Sequence, residues 1–136
     1  MGRAVILIGH GSQADGGNDA LREVAGLVAE LGGVEVIPAY LQFCRPSLSE
    51  AFERAVAGGA DSVLVVPYFL YMGNHVGRDI PEELNRLRAA HPNVEIVMTD
   101  HLGAHPKLAE IVLERIKEGI HPPLKSPPVE GGEKQR

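Results

Sequence analysis

The stretch Arg3-Ala4-Val5-Ile6-Leu7-Ile8-Gly9-His10-Gly11 decides the architecture. Its apolar core is unbroken, rich in β-branched side chains and without polar alternation. That pattern suits a strand buried on both faces, as in a parallel sheet. Gly9, Gly11, Gly16 and Gly17 then punctuate a loop. Asn18 or Asp19 caps a predicted helix whose apolar positions Leu21, Val24, Ala25, Val28 and Leu31 recur at three and four residues. Gly32-Gly33 stops it.

The same cycle repeats along the chain. Val34–Leu41 reads as a second strand, and Pro38 inside it argues for an edge position, where a missing donor costs least. Pro46-Ser47 opens a second helix carrying Leu48, Ala51, Phe52, Ala55 and Val56, and Gly58-Gly59 ends it. Asp61–Leu70 is the most apolar strand. A loop with Gly73, Asn74, His75 and Gly77 is predicted next, then a helix from about Asp79 to Ala90, a short strand over Asn93–Thr99, and a last helix opening at Pro106. The expected domain covers residues 1–119, and the Pro- and Gly-rich segment 120–136 reads as a disordered tail.

Four β-α units in strict alternation imply an α/β fold of three layers: a four-stranded parallel sheet with right-handed crossovers between helices. The expected strand order is 2-1-3-4, a flavodoxin-like arrangement one strand short. Strands one and three then lie side by side with connections leaving to opposite faces, and ligands of open α/β sheets bind at the carboxyl ends of such a switch point. His10 follows strand one and His75 follows strand three, so the topology delivers two imidazoles to one place.

Composition narrows the function classes. With 13 Lys plus Arg against 18 Asp plus Glu, the net charge of −5 lacks the basic excess of a nucleic-acid binder. No apolar run approaches a membrane span and no signal-type segment opens the chain, so a cytoplasmic protein is expected. Cys44 is the single cysteine, which excludes an internal disulfide and a thiolate zinc cluster.

Gly9-His10-Gly11-Ser12-Gln13-Ala14 fits the loose dinucleotide form G-x-G-x-x-A. That fold needs an acid at the end of strand two, where Gln42 stands, and more strands than four. A phosphohistidine enzyme needs arginine before the histidine, where Gly9 stands, and no G-x-S-x-G elbow exists for a serine hydrolase. His10 and His75 remain. Two imidazoles can hold a divalent first-row cation weakly, leaving open positions, and can accept protons near neutral pH. Ser12, Arg45 and Arg78 sit near strand ends and helix starts, where hydroxyls, guanidinium forks and helix amino termini suit carboxylates or phosphates. Tyr40, Phe43, Phe69 and Tyr71 cluster at the same strand ends and could wall a flat ligand, with plain core packing expected for Phe69. His101 and His105 fall on a loop and helix start, His105 as a cap; His91 is expected to face solvent and His121 belongs to the tail.

With these residues in hand, the chain resembles the short CbiX-type sirohydrochlorin chelatases of the class II chelatase family. The resemblance runs from about Val5 to Ile116. It rests on Gly9-His10-Gly11-Ser12, Arg45-Pro46-Ser47-Leu48, Val66-Pro67-Tyr68-Phe69-Leu70, Gly73-Asn74-His75-Val76-Gly77-Arg78-Asp79-Ile80-Pro81 and Leu102-Gly103-Ala104-His105-Pro106. It implies insertion of cobalt, or in relatives nickel or iron, into the tetrapyrrole sirohydrochlorin, with the metal as substrate and no prosthetic group. It also implies a homodimer of chains that each correspond to half of a two-lobed enzyme. The family's two metal-facing histidines fall on His10 and His75. Gln42 stands where many relatives carry glutamate, and a neutral amide cannot act as a general base. A carrier of metal or tetrapyrrole without turnover is the alternative, with a dinucleotide enzyme behind it.

Overall fold

The computed structural model describes residues 2–120. The elements run β1 (Gly2–Gly9), α1 (Asp19–Gly32), β2 (Glu35–Tyr40), α2 (Leu48–Ala57), β3 (Ala60–Pro67), α3 (Asn74–Ala90), β4 (Glu95–Met98) and α4 (Pro106–Ile120). The sheet is wholly parallel in the order β2-β1-β3-β4. The expected fold class and strand order are those observed. The chain divides into two compact units between Gly103 and Ala104, the first holding the sheet with α1 to α3 and the second holding α4. The expected tail lies outside the described residues except Ile120, which is the last residue of α4.

β1 is central, pairing with β2 on one side and β3 on the other. Its Ala4, Ile6 and Ile8 point to the face where Phe52 of α2 and Ile80 and Leu84 of α3 pack, all essentially inaccessible to water. Leu7 points to the opposite face, where it meets Leu21 and Ala25 of α1. One side chain in two serving each face is what a period of two requires of a doubly covered strand. Pro38 sits on edge strand β2, opposite Leu7.

Two boundaries differ from the sequence expectation. β3 ends at Pro67 rather than Leu70. α3 begins at Asn74, more than a turn before Asp79, so His75 lies in the first turn of a helix and not in a loop. Gly77 and Pro81 obscured that start. Proline inside a helix clashes with the carbonyl four residues earlier, and here that residue is Gly77, whose missing side chain eases local adjustment. Gly77 itself donates its N–H to the Gly73 carbonyl, closing the first turn.

Beyond Tyr40 the β1–β2 pairing continues by two backbone bonds, Leu41 N–H to the Gly9 carbonyl at 3.0 Å and Gln42 N–H to the His10 carbonyl at 3.1 Å. Gly11 permits this crossing. Its φ is +97°, and a Cβ there would fall 1.8 Å from the Gln42 carbonyl oxygen. The chain then turns sharply through Phe43, at φ 69°, and a cis Arg45–Pro46 peptide. The turn ends on a capping box: Ser47 Oγ accepts from the Glu50 N–H, while the Glu50 carboxylate accepts from the Ser47 N–H.

Three outcomes follow for stability. Ser47→Ala should lower the free energy of urea unfolding by about 1 kcal/mol. The Arg45 guanidinium and then the Ser47 N–H hold the Glu50 carboxyl down at about 2. Its folded value is depressed, so this contribution is complete above the ordinary carboxyl range and is lost as pH falls from there toward 2. Acid titration of stability across that window should be shallower for Glu50→Gln than for the parent chain. Gly11→Ala should cost roughly 1–3 kcal/mol from left-handed strain alone, and more from displacing Gln42, as read by thermal unfolding.

Candidate functional site

A cavity of about 410 Å³ opens beside the carboxyl ends of β1 and β2. Its wall combines His10, Tyr40 and Gln42 from those strand ends, Ser47 to Ser49 at the start of α2, and one face of α3. That face carries His75, Asp79, Glu82, Glu83 and Arg86, a stripe at intervals of three and four residues. No residue of β3 lines it. The cavity therefore sits on the sheet face covered by α2 and α3, not astride the β1–β3 switch point. The cause is the early start of α3, which puts its first turns into the wall.

The structure brings His10 and His75 into this one wall. His10 rides on the backbone bridge that Gln42 makes to it, and the Gln42 side-chain amide lies 3.5 Å from His10 Nδ1. Phe69, partly buried against the core, meets the His10 ring edge-on with centroids 6.4 Å apart. His75 pairs through Nε2 with Asp79 Oδ2 at 3.1 Å, one helical turn on. Among the described residues, no group of three or more His, Cys, Asp and Glu is arranged to hold a cation.

The cavity's polar wall is acidic, with three carboxylates on α3 against one guanidinium. Arg86 is hydrogen-bonded to Glu83, and that bond raises its pKa above the usual arginine value. Tyr40 is buried, which raises its phenol above the ordinary range although Arg22 works the other way. Its hydroxyl donates to the Asn18 carbonyl at 3.0 Å, so this ring braces α1 against the strand end.

Of the other expected contacts, Gln42 and Tyr40 line the cavity. Ser12 is committed to its own loop: its hydroxyl accepts from the Ala14 N–H, and its backbone is clasped by the Asn18 side chain. Arg45 is spent on Glu50. Arg78 and Tyr71 are exposed outside the wall, Tyr71 with 79% of its surface free; Leu70 and Phe43 are exposed as well. Cys44 is half-buried, accepting from Arg22 and donating to the Arg45 carbonyl. His105 caps α4 by accepting the Lys107 N–H at 3.0 Å. His91 does not face solvent as expected. It packs edge-on over buried Phe52 at 4.8 Å and pairs with Glu53 at 3.1 Å. His121 lies outside the described residues.

Asp79, Glu82, Glu83 and Arg86 escaped the sequence reading as site residues. The signal was present as the helical spacing 75, 79, 82–83 and 86. It is visible only once α3 is known to include His75.

The chain is 35% identical to the sirohydrochlorin cobaltochelatase of Methanopyrus kandleri, over 86% of this chain and 96% of that one. The fold matches the CbiX protein of Marinobacter aquaeolei with a TM-score of 0.76 and 30% identity, covering 88% of this chain and 96% of that one. It also matches the sirohydrochlorin chelatase SirB of Bacillus subtilis in complex with cobalt, with a TM-score of 0.75 and 25% identity; 86% of this chain aligns with 50% of SirB. The CbiX family model spans residues 4–119, so nearly every described residue is accounted for by it: the chain belongs to the CbiX family.

Proposed function

We propose that this chain inserts a divalent cation, cobalt foremost, into sirohydrochlorin, with His10 and His75 as the cation's protein ligands. The observation that carries the reading is the presence of both imidazoles in one cavity wall, within a chain similar along nearly its whole length to a sirohydrochlorin cobaltochelatase. The metal is a substrate here. Nickel and iron are the other candidates, because two nitrogen ligands select geometry and exchange rate more than one element.

Metalation exchanges the cation's water for four ring nitrogens and releases two pyrrole protons. Two neutral imidazoles suit the first task, since they bind a first-row cation less tenaciously than a thiolate cage would. They also suit the second, because each imidazole nitrogen lone pair that the cation vacates can accept a proton. Gln42 beside His10 carries no proton-accepting charge, so proton removal falls on the imidazoles, on the α3 carboxylates, on water or on the substrate's own carboxylates. The acidic stripe of α3 favours cation approach.

Phe43, Leu70 and Tyr71 stand exposed near the same strand ends, as a surface awaiting either the macrocycle or a second copy. The chain spans half of SirB, which favours a homodimer in which two copies do what one longer chain does there. The described residues include no helix long and apolar enough to cross a membrane, and a cytoplasmic location is part of the reading.

His10→Ala and His75→Ala should each keep the parent thermal transition within a few degrees while losing cobalt insertion, followed by the change in macrocycle absorbance. Wild-type turnover in both variants would remove the assignment. The parent chain should metallate many equivalents of sirohydrochlorin per protein and sediment at twice its monomer mass. A single equivalent with no turnover would mark a carrier.

A further inference from the structure

We infer that Arg86 receives a peripheral carboxylate of the tetrapyrrole, exchanging its bond to Glu83 for one to the substrate. This deepens the chelatase reading above and rests on it. The first support is position. Arg86 is the one Lys or Arg among the residues lining the cavity, in a wall that also carries both imidazoles. An anionic ligand entering there meets Asp79, Glu82 and Glu83 on the same helix, so this guanidinium is the wall's one permanent positive charge.

The second support is the shape of the substrate class. Its nitrogens converge at the centre of a flat ring, and its carboxylates stand at the rim. Arg86 lies about three turns, or 16 Å, beyond His75 along the axis of α3. Side chains of a helix lean toward its amino end, so the long stem of Arg86 carries the guanidinium back toward the imidazole. A cation at His75 and a carboxylate at Arg86 thus correspond to the centre and the edge of one flat ligand.

The third is how loosely Arg86 is engaged. Arg45 clasps Glu50 through Nε and Nη2, and Glu50 is itself fixed in the capping box of α2. Arg86 reaches Glu83 through a single Nη2, and its Nε and Nη1 have no partner among the described residues. A guanidinium carries five N–H donors and takes a carboxylate best through two parallel bonds. The Arg86 side chain is 66% exposed, and an ion pair three residues apart on such a surface adds little to folding stability. Giving up Glu83 for a two-point bond to an incoming carboxylate therefore costs the fold little.

The test titrates sirohydrochlorin into the metal-free full chain by fluorescence, and measures KM and kcat for cobalt insertion in parallel. Arg86→Gln should weaken binding and raise KM roughly tenfold, with kcat little changed and the thermal transition near the parent value. Arg86→Lys, which keeps the charge without the fork, should recover part of the loss. Glu83→Gln should act in the opposite direction and tighten binding, because it frees the guanidinium. That gain should disappear in the Arg86→Gln, Glu83→Gln double variant. An ion pair serving the fold alone would move both single variants the same way. Parental affinity in Arg86→Gln, weaker binding in Glu83→Gln, or a gain that persists undiminished in the double variant would overturn the inference. A parent chain that binds sirohydrochlorin without metallating it would sink the chelatase reading and leave the role of Arg86 to the binding constants. A parent chain that metallates it beside an unaffected Arg86→Gln would sink this inference alone.

Discussion

The parallel pairing of β1 with both of its neighbours is the constraint on which the rest depends. A strand in that position must be apolar on both faces, and Ala4, Ile6 and Ile8 on one side with Leu7 on the other meet the demand. Parallel pairing also forces each connection to cross over a face of the sheet. α1 covers one face and α2 with α3 the other, so every loop after a strand returns to the same end of the sheet. The first such loop carries His10. The site exists because the strands all point one way.

Much of this was legible in the amino-acid sequence, and for identifiable reasons. Continuous apolar runs and glycine stops reveal themselves at short range, and Pro38 marked its strand as an edge strand. The order of strands follows from alternation and handedness. Local chemistry that competes with a motif was harder to read. Pro81 and Gly77 look like helix breakers in isolation, yet α3 runs through both because Ile80, Leu84 and Leu87 anchor its buried face. Missing that start concealed the stripe from His75 to Arg86. Ser12 and Arg45 looked like free donors because their partners, Asn18 and Glu50, are found only through loop geometry and a capping box. His91 looked exposed because its partner Glu53 is 38 residues away in the chain.

The candidate site also shows how an acidic chain could serve an acidic substrate. The carboxylates are gathered on one helix, close to where a cation would arrive, and the strand ends opposite contribute an uncharged amide and aromatic or aliphatic surface. The carboxylates thus stand on one element, and Val76 and Ile80 of the same helix add apolar wall between them.

Pro38 has a consequence beyond marking an edge. Backbone N–H groups along a strand alternate in direction, and the Tyr40 N–H points away from β1 to the Pro46 carbonyl at 2.9 Å. Pro38, two residues earlier, faces the same outer side and has no N–H to give. Of the outward donors on β2, one is thus missing and the next already occupied. A foreign strand laid along this flank would find no continuous ladder. Molecules of this protein are thereby discouraged from zipping into ribbons through β2, and any productive association is steered toward side-chain surfaces instead.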